Sequence, residues 1–407
     1  MGKKISFIHA ADLHLDSPFK GLTSTPEKIF KEIRESTFNA LDRLVANAID
    51  KQVDFVLIVG DLFDNEKQSL KAQVRLRRAF EQLKLHNINV YLSYGNHDFI
   101  SGNRYPIEYP ENVYIFQDEE VSSFTYEREG KPIANIYGFS YIHRAVLDPK
   151  ATEYKISQDH IPFHIAMLHG SIQSNTEHDV YAPFQISDLQ EEEFDYWALG
   201  HIHKREILKE TPCIVYPGNI QGRNRKETGE KGCYHIVLTE SKTEMNFIPL
   251  QAIQFTSLTI DVTGCKAVDH IEAVIQEEIN QLAITTPQLI NLTLASNDAN
   301  LMQWESENLL EEVIELINET SINQRNWFYI FNFTVMISSS GSLDEKEGEH
   351  FIGELIRHAD EVRGYPFLSE LYRHKQARKY LDHLSSEEEN FLRTQAKQLL
   401  VNELLKG

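Results

Sequence analysis

An α/β fold with a parallel-strand core is predicted by three features of the first hundred residues. Residues 5–11, 54–59 and 89–94 form short runs that are almost wholly apolar, as strands covered on both faces are. The stretches between them, 26–52 and 69–86, repeat apolar residues at helical spacing. Each apolar run then gives way to Gly, Asp, Asn or His. Strand, helix, strand, helix, strand in this order requires right-handed crossovers and a parallel sheet.

The remaining elements follow the same logic. The helix over 26–52 opens with Ser/Thr cap candidates, then Pro26 and Glu27, and places Ile29, Ile33, Phe38, Leu41, Leu44, Val45, Ala48 and Ile49 on one face. Past Asp98 the runs become shorter, at 113–116, 122–126, 134–139, 163–168, 196–199, 213–216, 233–238 and 245–248. That pattern predicts a mixed or antiparallel continuation as a second sheet packed on the first. Residues 171–193 read as a loop with a short helix. Near Gln251 the rhythm restarts as strand 256–262, helix 267–282, strand 289–295, helix 305–318 and strand 327–337, a small α+β domain. The expected division is therefore 1–250, 251–340 and 341–407. Ser338-Ser339-Ser340-Gly341-Ser342 has the composition of a flexible linker. In the charged tail, a helix over 386–406 starts with Ser386 and three glutamates. Its Phe391, Leu392, Leu399, Leu400, Leu404 and Leu405 suit packing on the body or docking to a partner chain.

Composition narrows the function. Forty basic residues against sixty-one acidic ones give a net charge of −21. A protein that coats nucleic acid through its bulk field does not have this balance, so any polyanion must be met by local positive charge or bound metal. The hydrophobic fraction of 41% suits a globular chain. No apolar run reaches the ~20 residues that span a bilayer, and the first apolar run is cut short by His9 and Asp12, as in a strand and not a signal peptide. Cys213, Cys233 and Cys265 have no metal-ligand spacing and fit buried thiols in the cytoplasm.

Five motifs at strand ends carry the chemistry: Asp12-Leu13-His14, Gly60-Asp61, Gly95-Asn96-His97-Asp98, His169-Gly170 and Gly200-His201-Ile202-His203. In open α/β sheets ligands bind at this edge, so residues distant in sequence can converge there. Carboxylate, amide oxygen and imidazole together suit a first-row divalent ion such as Mn²⁺, Fe²⁺ or Zn²⁺. The donors are too many for one ion, and two ions ~3.5–4 Å apart with one bridging carboxylate would use them all. Asp61, on the strand between the other two and preceded by Gly60, is the expected bridge. Asp12, His14 and His203 then complete the first ion, and Asn96, His169 and His201 the second. His201 and His203 are one residue apart, which on an extended strand turns both side chains to one side.

The ordered set DLH, GD, GNHD, HG, GHIH resembles the calcineurin-like metallophosphoesterase superfamily. Ala11-Asp12-Leu13-His14-Leu15, Gly60-Asp61-Leu62-Phe63-Asp64 and Tyr216-Pro217-Gly218-Asn219 are similar to its SbcD-like nuclease branch, and within it to the YhaO-type group of bacterial DNA repair exonucleases. The match covers residues 5–240. It implies a two-sheet sandwich flanked by helices, a small α+β capping domain and a helical tail. It also implies a mechanism in which water activated between two ions, most readily Mn²⁺, attacks phosphorus in line while His97 protonates the leaving 3′-oxygen. Asp98 would orient His97 or cap its loop, and Asp64 and, less clearly, Asp16 would support the ligands. The implied substrate is DNA, the implied partner an SbcC-like coiled-coil ATPase bound through the tail, and a homodimer is an assembly open to the chain. No membrane is involved.

Positive charge for a DNA backbone would come from Arg104, Lys204, Arg205, Arg223, Arg225 and Lys226, with Tyr105 and Tyr109 stacking bases. Arg75, Arg77 and Arg78 lie on a helix and face solvent or a partner. The competing readings are a phosphodiesterase of cyclic nucleotides or other small phosphodiesters, a protein phosphatase, and a binding module with a vestigial site.

Overall fold

A computed structural model describes residues 3–337 except 20, 23–24, 65–67, 103–106, 174–180 and 299, together with 389–390, 392–393 and 396. The chain runs β1 (Lys4–Ala11), α1 (Glu27–Asp50), β2 (Phe55–Val59), α2 (Leu70–Leu85), β3 (Asn89–Ser93) and β4 (Val113–Ile115). It continues with β5 (Ser122–Arg128), β6 (Lys131–Gly138), β7 (Phe163–His169), β8 (Tyr196–Gly200), β9 (Glu206–Glu210), β10 (Cys213–Tyr216), β11 (Gly232–Thr239) and β12 (Thr243–Pro249). Then come β13 (Gln254–Asp261), α3 (Val268–Gln281), β14 (Gln288–Ser296), α4 (Asn300–Ser306), α5 (Leu309–Ser321) and β15 (Phe328–Ile337).

Two six-stranded mixed sheets carry the site. The first has the order β12-β11-β1-β2-β3-β4 and the second β5-β6-β7-β8-β10-β9. Strands β1 to β4 are parallel, as the apolar runs and crossover helices require. Ala11, Val59 and Ser93 lie opposite one another, so the first three strands end level. In the second sheet His169 pairs with Gly200, which brings the ends of β7 and β8 level as well. Phe7, Phe55, Leu57, Tyr91, Ile165, Met167, Tyr196 and Ala198 fill the space between the sheets. Burying each such side chain contributes roughly 1.5–3 kcal/mol. His9 crosses this core, with Nδ1 2.9 Å from the Tyr196 hydroxyl and Nε2 3.1 Å from the Leu199 carbonyl. Burial lowers its pKa to about 3, so it is neutral.

The helices cover the outer face of the first sheet. Phe38, Leu41 and Leu44 of α1 and Leu76, Phe80 and Leu83 of α2 pack there. Ser69 caps α2 by accepting from the Ala72 amide at 3.1 Å. Ile29 and Ile33 of α1 belong to a separate cluster with Ile253, Phe255, Leu289 and Trp327.

Two elements differ from the sequence reading. The helix expected over 305–318 is two helices, α4 and α5, because Asn308 adopts a left-handed backbone (φ 58°) between them. The polar edge strand β9 carries no continuous apolar run to reveal it. By internal packing the chain forms two compact units. One comprises Met1–Leu258, Gln276–Leu292 and Ile314–Phe333; the other comprises Thr259–Ile275, Thr293–Val313 and the described residues from Thr334 on. The third sheet is β13-β14-β15. The 338–342 linker and most of the tail lie outside the described residues, as do Phe391, Leu399, Leu400, Leu404 and Leu405. Leu392 is exposed. Among the described residues no helix is long and apolar enough to cross a membrane.

Candidate metal centre

Both sheets deliver side chains to one edge. Asp12, His14, Asp61 and His203 form a group whose ligand atoms all lie within 4.8 Å of one another. Around it, His14 Nε2 is 3.0 Å from His203 Nε2 and 3.7 Å from Asp61 Oδ2, and His203 Nε2 is 4.0 Å from Asp12 Oδ1. A second group gathers on Asn96 Oδ1, which is 3.1 Å from His169 Nε2 and 3.2 Å from His201 Nδ1. His169 Nε2 is also 3.6 Å from Asp61 Oδ1. Asp61 thus turns Oδ2 to one set and Oδ1 to the other. All seven residues expected as ligands are in these two sets.

The backbone is bent to achieve this. Asp12 (φ 52°), His14 (φ 41°), Asp61 (φ 49°) and His201 (φ 94°) are all left-handed although none is glycine. Such conformations cost of order 1–3 kcal/mol each and persist where the surrounding structure imposes them. His201 and His203 therefore do not converge by strand alternation, as expected: β8 ends at Gly200, and a kink at His201 aims both rings inward. Gly95 lies tight against the same centre. Its need is steric, since a Cβ there would lie 2.2 Å from Asp61 Oδ1 and 2.7 Å from His169 Nε2.

The donor set fits divalent cations. His169 Nδ1 is 3.1 Å from the Val59 carbonyl and Nε2 faces Asn96 Oδ1, so either neutral tautomer leaves an acceptor pointing at an acceptor. Burial lowers the pKa of His169; in His14 and His203 burial and then the Arg223 charge do the same, which favours the neutral form that ligates metal. Burial and then the Asp61 charge push Asp12 well above the usual carboxylate range. Two carboxylates with oxygens no more than 4.8 Å apart repel by about 3.5 kcal/mol at an effective dielectric of about 20. Cations between the groups turn these conflicts into bonds.

The surroundings correct several expectations. Of the two parts expected of Asp98, the carboxylate takes that of a loop cap: it accepts from the Gly95 and Leu62 amides, both at 2.7 Å, and so ties two ligand loops together. Burial and the Asp61 charge push it up to about 8 despite those bonds. His97 instead places Nδ1 3.0 Å from the Asp64 carbonyl, and its amide donates to Asp61 Oδ1 at 3.0 Å. Asp64 does approach a ligand, with Oδ1 3.5 Å from His14 Nδ1. Asp16 turns away to Arg34, 3.9 Å from it. Arg223 is not a free cation for DNA: its side chain is 13% exposed and paired with Asp64 and Glu227. Tyr109 is partly buried and packs edge-on against Phe80 at 5.1 Å. Lys204, Arg205, Arg225 and Lys226 are exposed, and Arg205 lies over the Phe247 ring at 3.8 Å. On the helix face, Arg75 pairs with Asp42 and Arg77 with Glu81. Arg104 and Tyr105 lie outside the described residues.

Glu227 was not anticipated. Its Oε1 is 2.9 Å from His203 Nδ1, and its Oε2 accepts from Asn219 Nδ2 at 2.7 Å and from the Arg223 amide at 2.8 Å. Burial alone would raise its pKa, but Arg223 and the His203 bond hold it well below the usual carboxylate range. Its only signal in the sequence is an acid amid Arg223, Arg225, Lys226 and Lys231.

Comparison with known proteins places the chain in a family. The family model for calcineurin-like phosphoesterases matches residues 5–205. The uncharacterized metallophosphoesterase YhaO of Bacillus subtilis is 37% identical over 402 residues, covering 98% of each chain. The DNA double-strand break repair protein Mre11 of Sulfolobus acidocaldarius is 24% identical over 281 residues, 67% of this chain and 70% of its own. A solved dimetal phosphatase from Danio rerio overlaps 60% of this chain and 96% of its own at 12% identity and a TM-score of 0.38, too distant to carry residue roles across. A clustered His/Asp site at the shared edge of two sheets, in a chain this similar to a metallophosphoesterase along its whole length, leads to one conclusion: the chain belongs to the calcineurin-like phosphoesterase family and is a metal-dependent phosphoester hydrolase.

Proposed function

We propose that this hydrolase is a two-metal phosphodiesterase acting on DNA, an SbcD-like exonuclease or endonuclease of repair. The observation that carries the reading is Asp61, whose two oxygens face two separate donor sets. The similarity to Mre11, a double-strand break repair protein, supports DNA as the substrate. Bound there, a pair of divalent cations, with Mn²⁺ expected ahead of Fe²⁺ or Zn²⁺, supplies Lewis acidity to the phosphoryl oxygens and acidifies the attacking water.

The chain's own residues do the rest. Asp12 and Asp61 would offset half of the charge that two divalent ions bring, while His14, His169 and His203, held neutral by burial, together with His201 and Asn96 would add donors without adding charge. His97 donates Nδ1–H to the Asp64 carbonyl, which leaves Nε2 to carry the proton for the leaving 3′-oxygen. The hydrogen bond that its backbone N–H donates to Asp61 Oδ1 fixes the distance between acid and centre. Asp98 acts through the backbone, by holding the loops of Leu62 and Gly95 in register. Lys204, Arg205, Arg225 and Lys226 remain the candidates for phosphate contacts. The three free cysteines fit a cytoplasmic enzyme.

A second reading, hydrolysis of cyclic nucleotides or other small phosphodiesters, is favoured by the net charge of −21 and by the engagement of Arg223 with carboxylates. End-labelled single- and double-stranded DNA, cyclic nucleotides and phosphopeptides compared at equal enzyme with Mn²⁺ separate the two. DNA degradation that chelation abolishes supports the nuclease; inertness on every DNA with activity on small phosphodiesters overturns it. An SbcC-like ATPase, the expected partner, should co-purify through residues 343–407, and unchanged binding after their deletion refutes that route. The homodimer is tested by mass in solution.

A further inference from the structure

The loop between β10 and β11, residues 217–231, crosses from one sheet to the other and grips His203 at several atoms. Glu227 Oε1 meets the ring at Nδ1, while Lys231 Nζ donates to the His203 carbonyl at 3.0 Å and the Asn219 amide donates to the same oxygen at 3.4 Å. Arg223 pairs with Glu227 on one side and Asp64 on the other, and Asp64 lies beside His14. Gln221 anchors the loop, donating to the Ile253 carbonyl at 2.6 Å and accepting from the Ala252 amide at 2.8 Å. In the other set His169 Nδ1 rests on a main-chain oxygen, the Val59 carbonyl.

We propose that this loop is a strap that builds one of the two cation positions, with Glu227 as its positioning residue. A carboxylate on Nδ1 keeps the proton there and turns the Nε2 lone pair of His203 toward His14, Asp61 and Asp12. Arg223 offsets the charge of Glu227 and transmits the same restraint through Asp64 to His14. The position formed by Asp12, His14, Asp61 and His203 therefore depends on the strap, and the position formed by Asn96, His169 and His201 does not. The inference rests on the two-cation reading of the site.

Titration of the full, metal-stripped chain with Mn²⁺, followed by calorimetry and electron paramagnetic resonance, tests it. The wild type should take two equivalents and show the exchange-coupled spectrum of neighbouring ions. Glu227→Ala should weaken one equivalent by about 10–100-fold and leave the other unchanged, with a mononuclear spectrum at one equivalent. Glu227→Gln keeps an oxygen that can accept from Nδ1 and should recover most of the lost affinity. Circular dichroism of the metal-free variants shows that they fold; if Glu227→Ala does not, Glu227→Gln decides, with a smaller weakening confined to one equivalent. Equal weakening of both equivalents, or no weakening, overturns the strap. A wild type that takes fewer than two equivalents overturns the two-cation reading and the strap with it.

Discussion

The two halves of the centre use similar donors but are held in place by different physics. Around His14 and His203 the support is ionic: Asp64, Arg223 and Glu227 form a partly buried chain of charges that touches both rings. Around His169 the support is steric and main-chain. The Val59 carbonyl fixes His169, and Gly60, Gly95 and Gly200 each lie so close that an added Cβ would fall within 3 Å of its ring. A site can thus be made exact by charges that orient a ring or by backbone that leaves it no room. The first kind fails when a side chain is removed, the second when one is added.

Asp61 belongs to both halves, so its loss should have the largest effect. Asp61→Ala removes the oxygens that face His14 and His169, and phosphodiester hydrolysis should fall by more than the ~10²–10³-fold that losing one electrostatic stabiliser costs. If Mn²⁺ stoichiometry stays at two, the bridge is misassigned. His97→Ala comes next, with kcat reduced by about 10²–10⁴-fold while both ions remain bound, as loss of a general acid predicts. Asn96→Ala should instead weaken metal binding. Equal metal loss in these two variants breaks the division between ligand and acid.

Gly95→Ala probes the steric half. The added methyl must displace Asp61 Oδ1 or His169 Nε2, and a shift of about 1 Å costs roughly 10²-fold in rate. Full activity in that variant would mean that the loop relaxes freely. The smallest effect on the centre is expected at Tyr109. Tyr109→Ala should lower stability by up to about 3 kcal/mol, below the range for a fully buried aromatic because Tyr109 is only partly buried, with KM for DNA unchanged. A raised KM at unchanged stability would return Tyr109 to the substrate.

The two-sheet α/β architecture was legible because its signals are local. Apolar runs, helical spacing and the abrupt polar strand ends lie within stretches of a few residues, and β2 lies between β1 and β3 as Asp61 required. The convergence of the seven donors was legible for the same reason, since each stands at or just past the end of a strand. The positions of Arg223, Asp98 and Tyr109 were not. Arg223 and Tyr109 look like surface residues by type, and Asp98 adjoins His97 in sequence, but burial redirects all three. Arg223 meets a carboxylate 159 residues away, and Asp98 an amide 36 residues away.

By itself, then, the sequence determined which residues could ligate metal and at which strand ends they stand, because donor type and strand periodicity are properties of short segments. Only the tertiary structure decided how each donor is oriented and what surrounds it. That depends on left-handed turns at Asp12, His14, Asp61 and His201, and on a loop that brings Glu227 against His203. Neither has a period or a composition to read, since both are imposed by the packing of one sheet against the other.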